Sequence, residues 1–155
     1  MPLLINLENS KKGREMTDAS DEVGQILNRF KEIQFVALAT LDGMRPRVRP
    51  MTLIYLDRRF WMVTSTSSNK VAQIRQNPNV EFTYQFGESD EDCCIRILGK
   101  AKIIKDSNTR TGMAKRIGFF SDHWSSPEDP DYTLLEVLPD ELQYVSPAGM
   151  KEFQL

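Results

Sequence analysis

A chain of 155 residues, 40% of them hydrophobic, can form one domain with a real core, whereas two domains would be crowded. Twenty Lys and Arg against 22 Asp and Glu leave a net charge of −2, which argues against a general nucleic-acid binder. No apolar run approaches the roughly 18 residues of a membrane span, and the N-terminus lacks a signal-peptide pattern. We therefore expect a soluble, cytoplasmic protein.

The beginning of the chain predicts an arm followed by a helix. Residues 1–17 combine a few aliphatic residues with a charged stretch, and we interpret them as an N-terminal arm. From Asp18, acidic and small polar residues precede apolar residues at helical spacing, which predicts a helix. This helix opens a predicted domain over residues 18–146, and residues 147–155 are then a C-terminal tail.

The central part of the chain predicts antiparallel strands joined by short turns. Residues 34–40 are apolar on both faces, as in a covered strand, and Asp42-Gly43 indicates a tight turn into a second strand. Later strands are predicted at 60–64, 80–86 and 93–105 and as a last pair separated by Pro139-Asp140, with an acidic loop at 88–92 and a bulge at Gly99. The pattern predicts a mainly β fold with peripheral helices, a six- to seven-stranded antiparallel split β-barrel.

The second strand begins with arginines at every second position. Because alternate side chains of a strand share a face, Arg45, Arg47 and Arg49 should point the same way as Met51, so that this face runs from cationic to apolar. Pro50 cannot donate a hydrogen bond to a sheet. We expect the strand to be bulged or unpaired on one side there, where a ligand could use neighbouring backbone groups.

Five consecutive hydroxyl residues, 64–68, precede Asn69 and Lys70 at the start of a predicted short helix that Asn77-Pro78 ends. The free N–H groups and the dipole of a helix N-terminus favour a phosphate, and Lys70 adds a full charge. Ser and Thr are also good helix caps, and capping alone would explain one or two of them. Five in a row beside an arginine-rich strand favour an anion site.

Other reactive residue types carry less information. Cys93 and Cys94 are adjacent on a predicted strand and would face opposite ways, without a CxxC partner or a nearby histidine, so no metal site is predicted. We interpret His123, the only histidine, as a solvated or packing residue, since spacing ties no nucleophile to it. The catalytic residues are therefore unassigned.

Six segments of the chain are distinctive together: FVALATLDG, RPRVRPM, SSNKVAQI, NPNVEFTY, GKAKII and DPDYTLLEVLPDELQYV. In these segments the chain resembles the FMN-binding split-barrel family related to pyridoxamine 5′-phosphate oxidase, and within it the general-stress-protein branch. The resemblance covers roughly residues 20 to 146, and its most specific parts are the arginine strand and the hydroxyl run that ends at Lys70. The C-terminus departs from the true oxidases, because it lacks their Trp and Arg substrate-binding pattern.

The resemblance implies FMN as the cofactor. It implies that the phosphate is held by Arg47, Thr64, Ser68 and Lys70, with Asn69 close by. It places the flavin ring along the second strand and beside the residue before the phosphate-binding threonine, at Val48, Arg49, Pro50, Met51 and Val63. The family is dimeric, so the resemblance also implies a homodimer with the flavin site at the subunit interface, and the only long unassigned loop offers little chain to enclose a ring without a partner.

The leading hypothesis is an FMN-binding flavoprotein, either a flavin-dependent oxidoreductase or a stress-related flavin-binding protein. Arg49 would supply positive charge near the N1 and O2 edge of the ring, and Trp124 is a candidate ring contact, although an aromatic residue in a loop more often anchors the loop to the core. Two alternatives remain open. The same fold could bind a deazaflavin coenzyme or haem, or a barrel with exposed arginines, Tyr55 and Trp61 could bind single-stranded nucleic acid.

Overall fold

The computed structural model of the chain describes residues 19–87 and 93–155. The predicted N-terminal arm, 1–17, and the acidic loop, 88–92, lie outside these residues. The chain divides into two units, residues 1–30 and residues 31–155. The described part of the first unit contains helix α1, residues 19–27. In the described parts of the chain, no helix is long and apolar enough to cross a membrane.

The second unit contains the sheet and the remaining helices of the described chain. In order these are β1 Ile33–Asp42, β2 Arg45–Leu56, β3 Arg59–Ser65, α2 Asn69–Gln76, β4 Asn79–Phe86, β5 Cys93–Ile104, α3 Ser107–Arg116, a 3₁₀ turn Phe120–Asp122, β6 Tyr132–Ser146 and β7 Gly149–Gln154. The strands pair antiparallel in the order β3-β2-β1-β4-β5-β6-β7, and a further β3–β6 pairing closes six of them into a barrel. This confirms the predicted mainly β split barrel, with β7 as an added strand.

The barrel is split between β2 and β3. These strands pair only from Ile54↔Trp61 to Leu56↔Arg59, because β3 pairs along its length with β6. The earlier part of β2 therefore has β1 as its only partner among the described strands. Pro50 lies on this open edge, opposite Ala37 of β1, in a register without a shift. Of the two alternatives predicted at Pro50, an unpaired edge is found and a bulge is not.

The predicted break at Pro139-Asp140 is wrong, because β6 continues through both residues. The β5–β6 register shifts between Leu98 and Gly99, and Pro139 lies opposite Gly99. A Cβ atom at Gly99 would lie 2.1 Å from the carbonyl oxygen of Leu138. The predicted bulge at Gly99 is thus confirmed, and this close backbone approach lets a proline remain within a continuous strand.

The segment assigned to the C-terminal tail contains a strand. Residues 149–154 form β7, which pairs with the second half of β6 from Ser146↔Gly149 to Glu141↔Gln154. Gly149 has a φ of +122°, a conformation that favours glycine and permits the tight reversal. The sequence of β7 alternates poorly between apolar and polar residues, because most of its side chains are exposed.

Two glycine substitutions test the β5–β6 bulge. Gly99→Ala should destabilise the protein by roughly 3 kcal/mol, since the new methyl group would collide with backbone atoms that cannot rotate away. Gly112→Ala, in the middle of α3, meets no atom within 4 Å and should stabilise the protein by about 1 kcal/mol through helix propensity. Denaturant unfolding measures both changes. A Gly99→Ala variant as stable as the wild type would contradict the bulge geometry.

Candidate cofactor-binding site

The cations predicted to bind the phosphate and the ring come together from β2 and α2. They are Arg47, Arg49 and Lys70. Burial lowers the pKa of Lys70, and the positive charge of Arg49 lowers it further. The pKa of Arg49 is likewise lowered by burial and then by the charge of Arg47. None of the salt bridges formed by the described residues involves these three side chains. Two half-buried cations and the exposed Arg47, without a salt bridge to a described carboxylate, form an arrangement that favours an anion as a partner.

Arg49 is fixed in place by two buried polar residues. Its guanidinium donates to the hydroxyl of Thr40 at 2.8 Å and to Oε1 of Gln73 at 3.1 Å, and weakly to the Leu38 carbonyl at 3.4 Å. The Thr40 hydroxyl also donates to Oε1 of Gln73, at 2.6 Å. Sequence reasoning missed Thr40 and Gln73. A signal for Gln73 existed, since it lies three positions after Lys70 and so shares its face of α2.

The hydroxyl run separates into two groups with different partners. Lys70 donates from Nζ to Oγ1 of Thr64 at 2.9 Å, and the hydroxyls of Thr64 and Ser68 are 3.5 Å apart. Ser68 is the N-cap of α2, yet its side chain makes no capping hydrogen bond, and the first turn contains no acidic residue. Capping therefore does not account for Ser68. Together with the free N–H groups of the first turn, these side chains form a donor-rich site beside the cations.

Ser65 and Thr66, which lie between Thr64 and Ser68 in the chain, have a structural role. Ser65 donates to the carboxylate of Asp131, and Thr66 donates to the Pro130 carbonyl at 2.8 Å and pairs with the Thr133 hydroxyl at 2.7 Å. These bonds join the end of β3 to the start of β6. The structure thus separates Thr64 and Ser68, which face Lys70, from the neighbours that anchor the following loop.

A groove of about 360 Å³, lined by apolar and polar residues in equal number, lies where β2 and β3 diverge. Its walls are Pro50, Met51, Thr52, Val63, Thr64, Ser65, Phe119, His123, Trp124 and Asp131. The groove therefore brings the predicted ring contacts Pro50, Met51 and Val63 and the candidate Trp124 together with one predicted phosphate ligand, Thr64. Its volume lies within the range of small-molecule sites. Thr52, Phe119 and Asp131 were not predicted, because no local pattern shows that these three segments meet.

Trp124 and His123, in the loop after α3, differ in exposure. Trp124 is 7% exposed and packs against Phe120 and Tyr132, with ring centroids 5.4 Å apart in each case. It therefore anchors the loop to the core while also lining the groove. His123 is exposed at the groove and makes ring contacts with Phe119 and Trp124.

Three other predicted residues, Val48, Arg47 and Asn69, line two neighbouring grooves. Val48 is 67% exposed and lies with Phe35 and Pro50 along a groove of about 480 Å³ on the other side of β2. Arg47 and Asn69 line a polar groove of about 310 Å³. Pro50 borders both grooves of β2, so the predicted site surrounds the open edge of this strand and does not occupy one cavity.

The fold and the site together define a class. The chain is an antiparallel split barrel with an open second strand, an adjoining groove and a cation–hydroxyl cluster that forms no salt bridge within the described residues. The family model for pyridoxamine 5′-phosphate oxidase matches residues 22–146. The chain belongs to this family.

Similar proteins place the chain more closely within the family. General stress protein 26 of Bacillus subtilis (strain 168) is 28% identical over an alignment of 124 residues, and the match covers 74% of this chain and 81% of that protein. A pyridoxamine 5′-phosphate oxidase-related, FMN-binding protein of Nostoc punctiforme has a TM-score of 0.62 at 21% identity, covering 76% of this chain and 78% of its own. A heme-binding protein of Mycobacterium smegmatis has a TM-score of 0.67 at 13% identity, covering 79% and 53%. These two structures show a shared fold.

Lys70 should lower the stability of the protein without a ligand. Its pKa in the folded state lies below the ordinary 10.5, so the unfolded chain binds more protons between the two values and stability rises with pH there. Lys70→Met should therefore stabilise the unliganded protein at pH 7 by about 0.5 kcal/mol, a value typical of half-exposed charge interactions. Thermal unfolding measures the change.

The advantage of Lys70→Met should shrink as the pH approaches 10.5, because Lys70 of the wild type then loses its proton. Lys100→Met is the control, since Lys100 is an exposed residue of β5. A destabilised Lys70→Met variant with an unchanged Lys100→Met variant would show that the charge of Lys70 is compensated in the folded protein.

Proposed function

We propose that the protein is an FMN-binding flavoprotein. The observation that carries the proposal is the contact between Lys70 and Thr64, 2.9 Å, in a cluster of cations that has no carboxylate partner in the described chain. A phosphate monoester near neutral pH carries up to two negative charges and accepts several hydrogen bonds, which matches both the charge and the donors of this cluster. The FMN-binding relative of the same fold supports the choice of ligand.

The phosphate would lie at the junction of β2, β3 and α2. Arg47, Lys70 and the first N–H groups of α2 would supply positive charge, and Thr64 and Ser68 would donate hydrogen bonds, with Asn69 beside them. Arg49, tied to Gln73 and Thr40, would act from a fixed position as a positive charge. A rigid charge costs no reorganisation when the ligand binds.

The ring would lie along the open edge of β2, over Pro50 and Met51 and against Val63. Trp124 would border the same groove from the opposite wall. Val48 faces the second groove, so it would reach the ring only across the edge at Pro50. FMN supplies one- and two-electron transfer when bound, which makes a flavin-dependent oxidoreductase the activity we propose. The protein's part is to bind, orient and exclude water, and we assign no general acid or base.

The alternative ligands receive less support from the site. Trp61 is 3% exposed and is covered by the guanidinium of Arg59 at 4.4 Å, and Tyr55 stacks on Phe60 at 5.1 Å. These aromatic faces are therefore not available to stack on nucleic-acid bases. Haem would require an axial ligand, and the exposed His123 is already in contact with two aromatic rings. A deazaflavin coenzyme has a phosphate and a ring of similar shape, and its absorption spectrum distinguishes it from FMN.

Lys70→Ala should weaken FMN binding by roughly one to two orders of magnitude, because a hydrogen bond to a charged group in a partly desolvated site contributes about 1.5 to 3 kcal/mol. Riboflavin, which lacks the phosphate, should bind the wild type and the variant about equally. Quenching of flavin fluorescence measures both affinities. Lys100→Ala removes an exposed lysine of β5 and should change neither.

Two results would overturn the proposal. If the wild type shows no flavin spectrum and no quenching with excess FMN, or carries a haem spectrum instead, the ligand is wrong. If Lys70→Ala loses FMN and riboflavin in equal proportion, the phosphate does not lie at Lys70, and the roles of Thr64 and Ser68 are wrong with it.

We also propose that the protein is a homodimer with the flavin site at the subunit interface. An apolar patch lies on the outer face of the barrel beside the open edge of β2, where Phe35 is 80% and Val48 67% exposed and Pro50 is also exposed. Large exposed apolar residues next to a ligand groove are typical of an interface. Similarity to General stress protein 26 supports a stress response as the physiological setting.

Phe35→Asp should weaken dimerisation by about tenfold or more, since an aromatic side chain buried at an interface contributes a large apolar area and a buried carboxylate is costly. It should weaken FMN binding as well, because the partner would cover the ring. Met44→Asp, in the β1–β2 turn and 98% exposed, is the matched control. A wild-type monomer in sedimentation that still binds FMN tightly would contradict the shared site.

A further inference from the structure

The open edge of β2 presents backbone groups at every second residue. β1 and β2 pair without a register shift and are joined by the two-residue turn Gly43-Met44. In such a hairpin the two residues that flank the turn exchange hydrogen bonds, and so does every second pair after them. The odd-numbered residues of β2 therefore bond to the β1 side, in agreement with the N–H of Tyr55, which donates to the Glu32 carbonyl at 2.9 Å. The N–H and C=O groups of the even-numbered residues point to the open edge.

Two of these edge positions are prolines. The even-numbered residues ahead of the β2–β3 pairing are Pro46, Val48, Pro50 and Thr52. A proline has no N–H, so the segment from Pro46 to Pro50 offers three carbonyl acceptors to the edge but only the N–H of Val48 as a donor. Pro46, Val48 and Pro50 are all exposed. Packing in the core therefore does not account for either proline.

Another strand could otherwise pair with this edge. A long exposed edge next to large apolar side chains is a template for pairing, and Val48 and Phe35 are 67% and 80% exposed here. The occupant that fits the edge by symmetry is β2 of a second copy of the chain, since two identical strands can pair antiparallel about a two-fold axis. Because paired strands lie about 4.8 Å apart, the added strand would take up the groove that Pro50 and Thr52 border.

The sequence of β2 opposes this pairing. Every symmetric register of the exposed segment places prolines at hydrogen-bonding positions, and with the axis at Val48, Pro46 of each copy lies opposite Pro50 of the other. Both of these pairs would lack their N–H donors, so only the pair of Val48 residues would exchange hydrogen bonds. Arg47 would lie opposite Arg49 of the other copy, and like charges directly opposite each other are destabilising. Missing donors and charge repulsion thus act together.

We infer that Pro46 and Pro50 keep β2 from pairing with a second copy of the chain, with Arg47 and Arg49 as a second obstacle. The groove between β2 and β3 thereby stays accessible to a ligand. The prolines act on the edge itself and require no ligand, so their role does not depend on which cofactor the groove holds.

The test is the self-association of the unliganded protein with Pro46→Val and Pro50→Val combined. The restored N–H groups, two in each copy, should lower the concentration at which assemblies larger than those of the wild type form by about tenfold or more. Sedimentation velocity measures this concentration, and added salt should lower it further, because salt screens the arginine repulsion. Pro147→Val removes an exposed proline of the β6–β7 turn and is the control, which should sediment as the wild type does.

Amide hydrogen exchange shows whether the edge itself is paired. In the wild type, the N–H of Val48 should exchange faster than those of Arg47 and Arg49, which β1 protects. In the double variant, the N–H of Val48 should become protected while those of Arg47 and Arg49 stay protected, which also shows that the fold survives. Pro46→Val alone, at a position that does not line the groove between β2 and β3, restores half of the donors and should give a smaller shift in the same direction.

Three results would overturn this role of the prolines. They are a double variant that sediments like the wild type at low and high salt, an equal shift in Pro147→Val, and a Val48 N–H that is as protected as its neighbours in the wild type. If the double variant does not fold, Pro46→Val decides, and its sedimentation as the wild type would have the same meaning. Failure of the wild type to bind flavin would overturn the proposed function alone, since none of these measurements uses a flavin.

Discussion

The site depends on the early separation of β2 from β3. Because β3 pairs along its length with β6, β2 keeps a neighbour on one side only for most of its length. The gap creates the groove between β2 and β3 and leaves an open backbone edge at which Pro50, without an N–H group, carries no unsatisfied donor. A fully paired barrel with the same residues would have no room beside β2 for a ligand.

A second constraint is the position of α2, which brings Lys70 close to the arginines of β2. The contact runs through Gln73, whose oxygen accepts from both Thr40 and Arg49. This small network holds Arg49 next to Lys70 although burial lowers the pKa of both side chains and the positive charge of Arg49 lowers the pKa of Lys70 further. Polar bonds and packing elsewhere in the fold must offset that repulsion, which is typical of a binding site that an anion completes.

The same network links the proposed FMN site to the polar groove. Gln73 uses its oxygen for Arg49, and Arg47 borders both spaces. One buried amide thus orients Arg49 and also lines the polar groove. The hydroxyl run also contains two groups with different contacts. Thr64 and Ser68 lie beside Lys70, whereas Ser65 and Thr66 are hydrogen-bonded to the start of β6.

The sequence by itself determined the split-barrel class, the alternating arginines of β2, the cationic helix start and the bulge at Gly99, because each depends on periodicity or on a residue type within one segment. It did not determine which grooves Val48 and Met51 line, that β6 runs through Pro139, or that Gln73 and Thr40 hold Arg49. These features depend on contacts between residues far apart in the chain, such as the pairing of Thr40 with Gln73 across 33 positions. Local patterns fix which side chains of one element share a face, but only the packed fold decides what that face meets.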